Sequence, residues 1–401
     1  MTQGIKRLGI AVAALLGVMV TGLALASWLI DREAVRRAVE DQLRAATGLE
    51  LKASGAIDVS VFPDSHVTMH DVSLGDGGGP SSLNVTALTA NLRLLPLLMQ
   101  RFQISDVVLS QPNITVTRDA AGHSNWAPLI ARLAETMKPG AQSAVSFSEI
   151  RISDGVLTYT DDGAGVSETL SDIDVSLAWP SISRSFAATG EFDWRGQRVD
   201  ASISVSDFLA ALSGEKSGLK TRITAPPLKF AFDGSVSNRT SLLLEGTLTA
   251  DSASLRNALR WAGREPPGTG GFGRFALKAR ANVVGASVAL TNVNVELDGN
   301  VAEGVMTVSN GERQNLQATL AGETIDFTPY INTVKLLASG ARDWNRQLFD
   351  LSGLSATDLD MRLSAAKVTI GSMKLGRTAL GANLRNGTLA LSVGEAQMFD
   401  G

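Results

Sequence analysis

GLELKASGAIDVSVFPDSHVTMHDVSLGD at residues 48–76 and LTANLRLLPLLMQRFQISDVVLSQPNITVTRDAAGHSNW at residues 88–126 decide the fold. Apolar and polar residues alternate through most of both pieces. Leu88, Ala90, Leu92 and Leu94 fall on one face of an extended strand, as do Val67 with Met69 and Ile114 with Val116. A side-chain period of two marks a strand with one buried face. Pro63, the run 77–80, Pro96 and Pro112 interrupt the pattern, and turns are expected there. The stretch reads as a meander of short strands, each with one oily face.

The same stretch carries a resemblance. Gly55, Pro63 within VFP, DVSLG at 71–75, LLPLL at 94–98, QPNITV at 111–116 and the closing Gly122, Asn125 and Trp126 follow one another after a long apolar N-terminal run. In that order and spacing they resemble the N-terminal region of the AsmA family of bacterial envelope proteins. The likeness extends more loosely towards the end of the chain. It implies a mainly β fold, with an N-terminal transmembrane helix followed by an elongated, curved antiparallel β-sheet groove with short capping helices. It also implies a role in outer-membrane homeostasis and in moving phospholipid between membranes. Similar proteins carry further sequence beyond the point corresponding to Gly401, so the resemblance implies a chain that is either shorter than the usual architecture or cut, and so incomplete at its C-terminus.

Composition agrees with many short strands. The chain has 401 residues, 39 of them Gly, and only 5% aromatics. That length allows about two or three compact domains, but abundant Gly with few aromatics suits tight turns better than a large helical core. Basic and acidic residues number 36 and 40, a net charge of −4, which lacks the basic surface that nucleic acid requires. There is no cysteine, which excludes disulfides, an N-terminal Cys lipid anchor and Cys-based metal or redox sites.

In chain order, residues 1–7 contain Lys6 and Arg7, and residues 8–30 carry no charge. A spanning helix needs about 20 apolar residues. The preceding basic pair places residues 1–7 in the cytoplasm and the bulk of the chain across the membrane; the resemblance implies that this membrane is the inner one and the far side the periplasm. A cleaved signal peptide is the rival reading, with Ala24-Leu25-Ala26 as its small-residue site. The apolar run continues through Trp28, Leu29 and Ile30, longer than a signal core, and favours an uncleaved anchor. Residues 31–48 form an expected amphipathic helix, with Val35, Val39, Leu43 and Ala46 on one stripe and Gly48 as its stop.

Residues 49–140 make a first β region. It closes with a short helix capped by Ser124 or Asn125, whose apolar stripe is Trp126, Leu129, Ile130, Leu133 and Met137. Residues 141–264 make a second strand series. Ile173, Val175, Leu177 and Trp179 alternate in it, with turns expected at Asp161-Asp162-Gly163, Arg195-Gly196 and Asp233-Gly234, and a brief helix over 254–262. Residues 265–401 make a third series, with turns at Asp298-Gly299 and Asn310-Gly311 and a helix over 328–339. Antiparallel pairing is expected throughout.

No catalytic, cofactor or metal site emerges, and an enzyme is not expected. His66 and His70 lie four residues apart, but on a strand rising about 3.3 Å per residue that exceeds roughly 12 Å, too far for one ion. His123 lies in a turn and reads as structural. GTGGFG at 268–273 follows a Pro pair rather than a strand and opens no helix, so it lacks phosphate-cradling geometry.

Something must cover the oily faces. A facing sheet would do so in a closed sandwich, and acyl chains would do so in an open groove. Alternation fits both, and the resemblance favours the groove. The candidate lining is Val67, Met69, Leu88, Leu92, Leu94, Ile114, Val116, Ile173, Val175 and Leu177. The expected role is envelope maintenance by conveying phospholipid. Membrane lipids, the inner membrane and outer-membrane or other envelope proteins are the expected partners, and nucleic acid is not one. The alternative is a periplasmic scaffold that assists outer-membrane protein assembly by binding protein. If residues 8–30 span the membrane, the intact protein stays with the membrane through an alkaline carbonate wash. An N-terminus mapped to Ser27 on a freely soluble product would instead establish cleavage.

Overall fold

The computed structural model describes residues 37, 41, 50–60, 64–75, 82–93, 104–136, 149–178, 185–239, 241–266, 270–311, 313–330, 357–385 and 388–398. The expected span at 8–30 lies outside these residues, as do Pro63, the run 77–80, Leu94 and Pro96. Of the expected helix at 31–48 only Arg37 and Asp41 are described, both helical. Among the described residues no helix is long and apolar enough to cross a membrane. The fold is mainly β, with twenty strands among the described residues, and it divides into two compact units. The first is Met1–Arg198 with Asp207–Leu212, and the second is Val199–Ser206 with Ser213–Gly401.

The first unit contains β1 (Glu50–Ala53), β2 (Ile57–Ser60), β3 (His66–Gly75), β4 (Leu83–Leu92) and β5 (Ile104–Arg118). Then come α1 (Ala127–Thr136), β6 (Glu149–Asp161), β7 (Val166–Ala178) and β8 (Phe186–Trp194). β1 and β2 both pair with the same edge of β3, and β4 to β8 follow in sequence order. Pairing is antiparallel except between β5 and β6, which run parallel. This corrects the expected all-antiparallel meander. A parallel neighbour cannot be reached by a hairpin and needs a crossover, and residues 119–148, which include α1, supply it.

A row of left-handed residues crosses this sheet. Asp71 (φ 51°), Gln111 (50°), Asp154 (53°) and Asp172 (47°) stand near one level of β3, β5, β6 and β7. The ladders of β6 with β7 and of β7 with β8 shift register here, as expected at bulges. On either side of the row, same-face positions step by three rather than two. Met69 is followed by Val72, Val85 by Leu88, Leu109 by Pro112, Ile152 by Gly155 and Leu170 by Ile173. Gly55 fits against the row from the edge, since a Cβ there would lie 2.7 Å from the His70 carbonyl oxygen. Pro112 is therefore not a turn, as the sequence suggested, but a buried position inside β5. The β5–β6 ladder skips from Ser110 to Asn113 at that level, so the missing N–H breaks no ladder bond there.

Beyond Ile114, β5 outruns β4, and the segment 119–126 folds back to fill the vacated edge. Asn125 acts as a short length of strand. Its backbone N–H donates to Thr117 O at 3.1 Å, and its Oδ1 accepts from Thr117 N at 2.9 Å. Its Nδ2 donates to Thr115 O at 2.9 Å, where Trp126 Nε1 also donates at 2.8 Å. The indole packs against the apolar cluster of β3 to β5, and Gly122 turns the segment with φ 88°.

The second unit begins in β9 (Gln197–Val205) and continues through β10 (Ser217–Thr224), β11 (Lys229–Ser237), β12 (Leu243–Ser252), β13 (Phe275–Val284), β14 (Ser287–Leu297), β15 (Asn300–Asn310) and β16 (Gln314–Asp326). A helix over Leu255–Trp261 is capped by Ser254 Oγ. Of the helix expected over 328–339, a 3-10 turn at Thr328–Tyr330 is described. β17 (Thr357–Ile370) then pairs parallel with β16 and antiparallel with β18 (Met373–Leu375) and β19 (Thr378–Arg385), and β20 (Thr388–Ala396) pairs with β19. Arg195-Gly196 and Asp298-Gly299 are left-handed turn pairs, as expected. Asp233-Gly234 is not a turn but lies inside β11. Gly234 pairs there with Gly246, and a Cβ on Gly246 would lie 2.6 Å from Gly234 Cα. Close backbone approach, not turning, explains that glycine.

Asn125→Ala removes the side-chain bonds to the β5 edge. The expected loss is about 1 kcal/mol in chemical denaturation, because water replaces part of each exposed bond. Asn125→Asp, which keeps the acceptor alone, should fall between the two. An unchanged midpoint for Asn125→Ala would show that the edge is not held this way.

Candidate functional site

The pairing registers resolve each unit into apolar and polar rungs. In the first unit Val59, Val67, Ala90, Val107, Ile150, Leu177 and Ala188 are successive partners from β2 to β8. Ile57, Met69, Leu88, Leu109, Ile152, Val175 and Gly190 form a second such rung. Between them, on the opposite face, run Asp58, Thr68, Thr89, Val108, Arg151, Ser176 and Thr189. In the second unit one rung from Val205 through Leu219, Gly234, Gly246, Ala281, Leu290, Met306, Ala318, Met361 and Ala382 to Leu391 contains no polar side chain.

Each apolar cluster draws on one face of neighbouring strands, with Trp126 added in the first unit. Val67 and Met69 are 0% exposed, and Leu88, Leu92 and Ile173 are also buried. These five sequence-predicted positions are inner packing and do not offer open surface. Ile114, Val116, Val175 and Leu177 share the face and are half-buried. Leu94 lies outside the described residues. The accessible part of the first unit's apolar face thus runs from the far end of β5, at Ile114 and Val116, across β6 to β8. In the second unit the rung ends at Leu391, 74% exposed on β20.

The opposite face is laced by polar contacts. Thr68 and Thr89 hydroxyls meet at 3.1 Å, and Arg198 reaches Glu191 at 3.0 Å and Asp193 at 3.3 Å. Glu149 accepts from Arg151 Nε at 2.9 Å and from the Ser176 hydroxyl at 2.6 Å. The Arg151 bonds, and then the Ser176 bond, hold the Glu149 carboxyl down from 4.5 to about 2.

At one end of the first unit the apolar face gives way to a polar border that alternation did not reveal. Val116, Tyr159 and Glu168 are register partners, as are Arg118 and Asp161. Asp161, read from sequence as part of a turn, is buried. It accepts from Arg118 Nη1 at 3.3 Å, from the Tyr159 hydroxyl at 3.2 Å and from Ala164 N at 2.9 Å. Glu168 accepts from Trp194 Nε1 at 2.9 Å and pairs tightly with Arg195. Both carboxyls lie below their usual range. Ala164 N is the largest cause at Asp161, and Arg195 is the largest at Glu168. The available signal was a polar residue where the phase of Leu157 and Leu170 called for an apolar one.

The histidines remain apart. His66 contacts Asp64 O, His70 contacts Asp58 and His123 contacts Asp119. Among the described residues no group of acids and histidines could hold a metal ion. In the glycine-rich loop, Phe272 N and Gly273 N donate to Asp298 at 2.8 and 2.7 Å, and the Tyr330 hydroxyl joins them at 2.6 Å. An internal carboxylate thus occupies the donors that a phosphate would need. What the geometry offers is two amphipathic sheet faces, suited to apolar ligands.

A model of the AsmA family matches residues 1–390. No curated protein and no solved structure matches the chain.

Glu149 titrates lower folded than unfolded, so its contribution is full above about 4.5 and is lost as pH falls towards about 2. Wild type should therefore be more stable than Glu149→Gln at neutral pH, with the difference vanishing across that window. A difference independent of pH would rule out the carboxylate as its source.

Proposed function

The chain belongs to the AsmA family, and from that premise we propose that it is anchored in the inner membrane by residues 8–30 and conveys phospholipid along its apolar sheet face. The bulk of the chain then lies in the periplasm, and the role is envelope maintenance directed at the outer membrane, without covalent chemistry. One observation carries this reading. The apolar rungs continue without polar interruption from strand to strand, yet their β6–β8 side remains only half-buried. An unbroken apolar strip open to a ligand suits acyl chains, which need area and no hydrogen bonds. The polar rung on the reverse of the same strands faces water.

Leu177 and Ser176 are adjacent in β7 and face opposite ways. A photo-crosslinking residue at Leu177 should capture phospholipid in intact cells, and the same residue at Ser176 should not. Capture of another polypeptide from Leu177 would favour the assembly scaffold. Capture confined to the chain itself at Leu177, Val175 and Val116 would mean a closed core and would sink the groove.

A further inference from the structure

The polar border of the first unit stands where the half-open apolar strip ends, and lining a groove does not require it. We propose that this border is a headgroup subsite that takes the phosphodiester of a phospholipid whose acyl chains lie on the adjoining apolar rungs. The inference rests on the groove reading.

Position is the first argument. Ile114, Val116 and Arg118 follow one another along one face of β5, as Leu157, Tyr159 and Asp161 do along β6. The surface changes from apolar to charged within one or two residues, as a phospholipid does between acyl chain and headgroup. Tyr159 and Trp194 mark the change. Each has an apolar body with a polar tip already fixed on a carboxylate, the form of side chain favoured at such boundaries.

Arg118 is the second argument. Its side chain is 53% exposed. Nε donates to Gly122 O and Nη1 to Asp161 Oδ2, each at a long 3.3 Å. Among the described residues Nη2 has no hydrogen-bond partner. A guanidinium edge with donors to offer is a good partner for a phosphodiester. Charge balance sets the class of headgroup. Arg118 and Arg195 stand with Asp161 and Glu168, so the border has no excess positive charge to draw a polyanion. It suits a headgroup with a single phosphate.

The test uses the purified full chain in detergent and native mass spectrometry. Phosphatidylethanolamine, phosphatidylglycerol and a diacylglycerol of the same acyl composition are titrated separately. Both phospholipids should bind about tenfold more tightly than the diacylglycerol, the scale of one charge-assisted hydrogen bond. Arg118→Gln should remove that preference while leaving diacylglycerol binding and the melting temperature unchanged. Arg118→Lys keeps a charge beside Asp161 but loses the fork, and should retain part of the preference. Equal wild-type affinity for all three lipids overturns the subsite and leaves the groove standing. Binding of none of them overturns both. A preference that survives in Arg118→Gln, or a parallel loss of fold and diacylglycerol binding in both variants, also overturns the subsite. Displacement of phospholipid by millimolar inorganic phosphate would assign the arginine to free phosphate instead.

Discussion

The apolar rungs of the first unit depend on the row of left-handed residues at Asp71, Gln111, Asp154 and Asp172. A regular strand that buries Met69 would next bury Asp71 and turn Val72 to water. The inserted residue resets the phase, and Val72 returns to the core. The same reset occurs at the same level in β4, β5, β6 and β7, so neighbours stay matched on both sides of the row. A reset in one strand alone would set apolar against polar side chains along every later pair. A left-handed conformation is uncommon outside Gly, and Asp and Asn tolerate it best among the other residues. Three of the four positions are Asp.

This row accounts for much of what resembled the family. DVSLG begins on Asp71, and QPNITV begins on Gln111 with Pro112 at the ladder skip. Gly55 packs against His70 and Asp71. Gly122, Asn125 and Trp126 belong to the segment that fills the open edge of β5. These motifs are thus devices of sheet construction. Of these motifs only QPNITV reaches the half-open strip, through Ile114 and Val116, and none supplies a charged group of its border.

Alternation in the sequence was enough to find the strands, their faces and several turns. Ser254 was legible as the start of a helix, and Arg195-Gly196 and Asp298-Gly299 as turns. Direction of pairing was not legible, since a side-chain period of two is the same in parallel and antiparallel ladders. Asp233-Gly234 misled because one dipeptide serves both a tight turn and a close approach between strands. Depth was also hidden. Leu92 and Leu177 carry the same pattern, but one lies deep in the β3–β5 cluster and the other on the half-open side. The polar border escaped because Asp161 has two roles, holding Ala164 in the turn while anchoring Arg118 and Tyr159 on the apolar face.

Parallel pairing at β5–β6 and β16–β17 sets where the chain must wait as it folds. A hairpin neighbour zips onto its predecessor in about 1–10 μs. β6 must first close a crossover of residues 119–148, and β17 one of residues 327–356, which carries a larger loop-closure entropy. For a chain emerging from its N-terminus, β5 and then β16 become temporary free edges, with backbone donors and acceptors open to any passing strand. Asn125 protects one side of β5, but the side that awaits β6 has no such guard. Misassembly, and the action of chaperones against it, should therefore concentrate at these two moments rather than spread evenly along the chain.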